Sequence, residues 1–386
     1  MRQYETREMS APPPSPAFGS GSPYPATIAP LAGLQFIALA WVILNQFRFH
    51  LGLPVDQDSG LAHDGYLGAE LFFIATGFVT AHLYGRDSVA HDFRFGGFLW
   101  TRLIRVYPLH VATIAGLGLL VIGAGLHHAY SHHGVFTLHG LISNLLMVQA
   151  WGTEPTVSWN FPSWLISAEW FAYIAFPVTA WLASKLWNGV VAAVAGPVVW
   201  FAILFLAARL RGTLFTDMTA QIGALQTIPA FLFGIGLHRL GRDSDLPLRA
   251  GALVSALAGL FIVLAAWLRL PDPVFFPLFG ALVFGLAETA KEGHPALSGP
   301  VLRYLARISY AVYLVYLPVD IVYFHAVGLV FGQPTGALAW TLWAGVFPVI
   351  LATGSVAYHL IQKPAERWLR AHEPFVARAS AEPTKV

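Results

Sequence analysis

Residues Pro30 to Phe47, PLAGLQFIALAWVILNQF, decide the fold, because this uncharged stretch is apolar and long enough to cross most of a ~30 Å hydrocarbon layer as a helix. Its two glutamines, Gln35 and Gln46, stand eleven residues apart, close to three turns of helix, so both amides project from one face near opposite ends of the span. Burying a primary amide in hydrocarbon costs several kcal/mol unless it is paired, so that face should meet other helices or a water-filled cavity. The pair therefore reads either as glue between helices or as the lining of a site.

Composition extends this reading to the whole chain. With 56% hydrophobic and 11% charged residues over 386, and a mean hydropathy of +0.61, the sequence describes an all-α polytopic membrane protein. The absence of cysteine excludes disulfides, thiolate catalysis and Cys-ligated metal. A net charge of +2 is too small to suggest a nucleic-acid partner. Residues 1–26, with APPPSP and GSGSPYP, read as a disordered cytoplasmic tail, followed by a membrane domain over 27–370 and a short cytoplasmic tail at 371–386.

Apolar runs fall at 27–47, 66–84, 105–126, 163–184, 189–208, 219–237, 250–268, 273–289, 306–330 and 337–361, which gives about ten spans. The piece at 138–151 is too short to cross easily and is expected to be re-entrant or interfacial. Charge tests that choice. With both termini in the cytoplasm and 138–151 not crossing, all of the 22 Lys and Arg residues fall inside except Arg48, Arg209, Arg211 and Arg269. A crossing at 138–151 would put HRLGRDSDLPLR (residues 238–249) outside and weaken the bias.

Several polar groups then stand out. In GYLGAELFFIATGF the second span places Glu70 near the outer mouth, followed by Ala75, Thr76 and Gly77, small enough for another helix to approach closely. The third span opens with FLWTRLIRVYPLH, whose Arg102 and Arg105 are i, i+3 neighbours at the expected cytoplasmic surface. They suit phosphate binding from a soluble donor, or simply anchor the topology. The external loop carries His127, His128, His132 and His133 with no nearby carboxylate, so it reads as a solvated polar loop and no metal site is assigned. In WNFPSWLISAEWFAYIAFP, Ser167 and Glu169 open the fourth span at the outer side, where a carboxylate in the apolar layer is costly. Glu70, Gln46 and Glu169 are expected at one depth, lining a cavity. The ninth span, RISYAVYLVYLPVDIVYFH, adds Tyr310, Tyr313 and Tyr316, with Asp320 midway across; their hydroxyls need partners that such a cavity would supply.

In this order the motifs resemble the membrane-bound acyltransferase family 3. The resemblance runs from about 27 to 370 and includes LAGLQFIALAWVILNQF, GYLGAELFFIATGF, RLIRVYP, PSWLISAEWFAY, ISYAVYLVYLPV and IQKPAERWL. It implies a multi-pass protein of the bacterial inner membrane. Such a protein uses acyl-CoA as co-substrate, with no covalently bound cofactor, and moves an acyl group, acetyl foremost, to a hydroxyl of an extracytoplasmic glycan or lipid.

The chain departs from the family where chemistry is expected. The family's first-span Arg and His positions hold Gln35 and Gln46, and its ninth-span His position holds Tyr316. An amide cannot accept a proton near neutrality, and loss of a positioned base typically costs ~10²- to 10⁴-fold in rate. His50, four residues after Gln46, or Glu169 could replace the base. Two readings follow: a working acyltransferase with a moved base, or a catalytically silent relative that serves partner proteins of a polysaccharide modification or export machinery or acts as an acyl conduit for another enzyme. A transporter would need paired intramembrane charges or matched broken spans, which the sequence lacks.

Overall fold

The computed structural model describes residues 22–51, 59–85, 93–123, 136–153, 158–211, 219–244, 246–292 and 297–374. The histidine loop, Arg86 and most of both expected tails lie outside the described residues. Those described are helical, with no strand among them. The long helices are α1 (Ala29–Phe47), α2 (Gly68–Tyr84), α3 (Phe95–Gly123), then, after a short α4 (Leu138–Leu145), α5 (Trp164–Lys185) and α6 (Gly189–Arg211). They continue as α7 (Thr219–Arg242), α8 (Leu248–Trp267), α9 (Phe275–Lys291), α10 (Pro300–Phe331) and α11 (Gly336–Ala357), closed by a short α12 (Lys363–Ala371). Among the described residues, nine helices are long and apolar enough to cross a membrane. Helix α7, at the expected sixth span, packs against α2, α5 and α6 inside the bundle.

Small residues bring the central helices together. A Cβ on Gly77 would strike the backbone of Phe231, and one on Gly234 would strike the carbonyl of Ile74, so α2 and α7 meet backbone to backbone. Helices α1 and α10 run parallel: Gly33 abuts Leu302 at one end, and the ring of Phe47 lies 6.0 Å from that of Tyr316 at the other. Order begins before the expected boundary at residue 27. Tyr24 is buried, donates to Glu288 Oε1 at 2.7 Å and lies under the Lys291 ammonium; burial, reinforced by Glu288, raises its hydroxyl pKa.

The segment before α5 does not cross. Helix α4 has eight residues, ~12 Å of rise, and is capped by Thr137, which accepts from the Gly140 amide at 2.9 Å. The chain then turns through left-handed backbone at Met147 (φ 55) and Gly152 (φ 84) and again at Trp159 (φ 52) before entering α5. Buried side chains satisfy this irregular backbone: His110 donates to the Asn144 carbonyl at 2.8 Å, and the Ala150 amide donates to Ser167 Oγ at 3.1 Å. Asn160 closes the fold from the other side. Pro318 has no N–H to give the Leu314 carbonyl one turn earlier, and Asn160 Nδ2 donates to that carbonyl at 3.3 Å. The entry to α5 is thereby held fourteen residues into α10, inside the bundle.

Candidate functional site

That entry depth changes where Glu169 lies. Expected at the outer mouth with Glu70 and Gln46, it stands instead among residues from the basic end. Its Oε1 accepts from Tyr173 at 2.7 Å, and the Tyr310 hydroxyl lies 2.6 Å from both carboxylate oxygens. Arg102 and Arg105 act on it electrostatically. The sequence reading places both arginines at the cytoplasmic surface; they are instead half-buried, because α3 begins at Phe95 and carries them roughly 10 and 15 Å along its axis. The Arg102 guanidinium is caged by Tyr173, Tyr84 and Phe98, with ring centroids at 4.9, 5.1 and 5.6 Å, and Arg105 lies 5.0 Å over Tyr310. Nε and Nη2 of Arg102 are buried with no hydrogen-bond partner among the described residues. A buried carboxylate thus lies within the electrostatic reach of two half-buried cations, and Nε and Nη2 of Arg102 have no partner among the described residues.

The other expected site residues separate into different roles. Ser167, fully buried, is used by the Ala150 amide and so holds the re-entrant turn instead of sharing a cavity with Glu169. Glu70 is buried against α6, accepting from Trp200 Nε1 at 3.1 Å, so the two carboxylates have different partners. Gln35 donates to Thr76 Oγ1 at 2.9 Å, which joins α1 to α2. Gln46 is half-buried, and its side-chain amide makes no hydrogen bond among the described residues. Tyr313 is fully buried with its hydroxyl unpartnered among them, so no shared cavity supplies all three tyrosines.

A second constellation forms where α1 ends. The helix stops at Phe47 and passes into a tighter turn, Arg48–Leu51, because Trp343 Nε1 takes the Phe47 carbonyl at 2.8 Å. That turn aims His50 at α10: its Nε2 lies 2.6 Å from Asp320 Oδ1, and its ring stacks on Phe324 with centroids 3.6 Å apart and planes 4° apart. Asp320 is therefore level with the end of α1 and not midway across. Sequence reasoning named both residues without joining them; a matched shift of four residues from Gln46 and from Tyr316 is the signal that could have done so. Tyr310, Tyr313, Tyr316 and Asp320 lie along one side of α10 over ten residues, ~15 Å, between the arginine cluster and His50.

A cavity of about 760 Å³ lies elsewhere. Its walls, including Leu109, Val315, Val319, Val349 and Ile361, are apolar, and neither His50 nor Asp320 is among them.

These features define a multi-pass helical membrane protein with two arginines gathered about a buried carboxylate. The family model described as "Acyltransferase domain" matches residues 30–359, and the chain belongs to that family, acyltransferase family 3. It is 32% identical over 167 residues to "Acyltransferase MdmB" of Streptomyces mycarofaciens, a match covering 40% of each chain. It is 44% identical over 50 residues to "Protein 2 in picA locus" of Rhizobium radiobacter, 13% of this chain and 26% of that one. The chain thus spans under half the length of both relatives. No solved structure matches it.

Proposed function

We infer that this membrane acyltransferase takes an acyl group, acetyl first among candidates, from acyl-CoA on the cytoplasmic side and transfers it to a hydroxyl of an extracytoplasmic glycan or lipid. The observation that carries the reading is Arg102, held in its aromatic cage beside Glu169 with Nε and Nη2 uncommitted. Guanidinium donors without a protein partner suit a phosphate of the donor, and Arg105 three residues on offers a second contact.

Replacing both Arg102 and Arg105 by Gln should weaken acetyl-CoA binding by about 3 kcal/mol, on the order of a hundredfold, if two charge-assisted contacts are lost. Equilibrium binding to the detergent-solubilised protein reads this directly. Unchanged affinity would leave the arginines as partners of Glu169 alone.

The silent-partner reading rests on Gln46 and Tyr316, neither of which can serve as a base near neutrality. Under it, acyl-CoA still binds and no thiol is released.

A further inference from the structure

We propose, resting on the acyl-transfer reading above, that the proton-transfer centre of this chain is displaced one helical turn outward, with His50 as catalytic base and Asp320 as its positioning residue. The register of α1 against α10 carries the argument. Phe47 meets Tyr316, and one turn later His50 meets Asp320. Gln46 and Tyr316, at which the family resemblance implies histidine, each precede a member of the pair by four residues, ~6 Å of rise. Base and partner are thus shifted together, on two helices, by the same step.

Geometry fits the role. The Asp320 carboxylate accepts the Nε2 proton of a neutral His50, which leaves the lone pair on Nδ1 and fixes the tautomer, while the stacked Phe324 ring fixes the plane. His50 and Asp320 side chains are 31% and 25% exposed, so an acceptor can reach them. Glu169, the competing base, is 2% exposed and already accepts from two tyrosines. Among the described residues, Asp320 of α10 is the charged group bonded to His50, and Arg48 lies two positions earlier in its own turn; α11 brings Trp343 and Phe347 to Phe47 at the end of α1, and neither titrates.

In the reaction, Nδ1 of His50 takes the proton of the acceptor hydroxyl as its oxygen forms a bond to the thioester carbonyl carbon. The C–S bond breaks with its electron pair on sulfur, and His50 returns the proton to the thiolate, giving the ester and free CoA thiol. Asp320 steadies the imidazolium between the two transfers.

The full chain in maltoside micelles, whose sugar hydroxyls offer an acceptor, is assayed with acyl-CoAs from acetyl to palmitoyl by titrating released thiol. The protein has no cysteine, so every thiol counted is CoA. His50→Ala should lower kcat by ~10²-fold or more with KM within about twofold, and added imidazole should restore part of it. Asp320→Asn should cost ~10- to 10²-fold in kcat, with partial recovery in Asp320→Glu. Variants that lower the unfolding temperature yet keep kcat per folded molecule, with no imidazole rescue, would make the pair a staple between α1 and α10 and overturn the proposal alone. A parent that releases no thiol from any of these donors would overturn the acyl-transfer reading and this pair with it.

Discussion

Tyr310 holds Glu169 across the bundle: a hydroxyl on α10 lies 2.6 Å from both oxygens of a carboxylate on α5, 141 residues away in sequence. The contact does more than join two helices, because the same tyrosine ring lies under Arg105, and Tyr173, which also donates to Glu169, walls the Arg102 cage. Carboxylate, phenols and guanidiniums form one unit, in which the carboxylate and both phenols are buried and the two guanidiniums half-buried. Removing the anion should therefore cost more than removing a donor to it.

The first expectation is graded. Tyr310→Phe should destabilise the protein by about 1.5–3 kcal/mol, the loss of a hydrogen bond to a charged group. Glu169→Ala, which strands two cations, should cost about 3–5 kcal/mol. Unfolding in detergent measures both, and an Ala variant as stable as the Phe variant would mean the guanidiniums are not compensated by Glu169.

How this cluster formed was only half legible in the sequence. Spans, their order and the failure of 138–151 to cross follow from run length and from where Lys and Arg fall, since both are local properties of the chain. Glu169 was misplaced because its depth is set by the start of α5, and that start is fixed by hydrogen bonds from Asn160 to Leu314 and from Ala150 to Ser167. Neither bond leaves a periodic trace. The orphan carbonyl behind Pro318 was readable in principle, but its partner 154 residues away was not. Likewise Asp320 looked central by counting residues, whereas α10 starts at Pro300 and carries it further out.

Ser167 tests the re-entrant turn. Ser167→Ala leaves the buried Ala150 amide without its acceptor, at about 1–3 kcal/mol. Limited proteolysis between residues 136 and 158 should quicken in this variant and not in Ser184→Ala, whose hydroxyl donates to the Trp181 carbonyl of its own helix. Equal cleavage of the two would remove Ser167 from the account of the turn.

Close packing of α2 on α7 gives a paired prediction. Gly77→Ala forces a methyl into the backbone of Phe231 and should destabilise by about 1–3 kcal/mol. Gly116→Ala, where a Cβ meets nothing within 4 Å, should be neutral or gain up to about 1 kcal/mol from helix propensity. Thermal unfolding of the two should therefore shift in opposite directions, or at least by clearly different amounts.

Orientation is open to direct measurement. Reporters fused at Arg242 and after Val386 should read cytoplasmic, and one at His132 external, given the distribution of Lys and Arg. An external signal at Arg242 would require the 136–163 region to cross, against the eight-residue length of α4.

The last prediction separates a displaced centre from a silent one. Gln35→Arg, Gln46→His and Tyr316→His together introduce the charged and basic groups that the family resemblance implies at these positions. If His50 and Asp320 already do the work, the new imidazoles stand a turn away from a base that is in place. Acyl-CoA turnover should then stay within about threefold of the parent or fall, because Gln35 gives up its bond to Thr76 and the buried Tyr316 its contact with Phe47. If the protein is silent, the parent releases no thiol and the triple variant gains activity that His50→Ala does not abolish. Adding His50→Ala to the triple variant makes the distinction sharp: loss of all turnover locates the chemistry at His50, and retention locates it at Gln46→His.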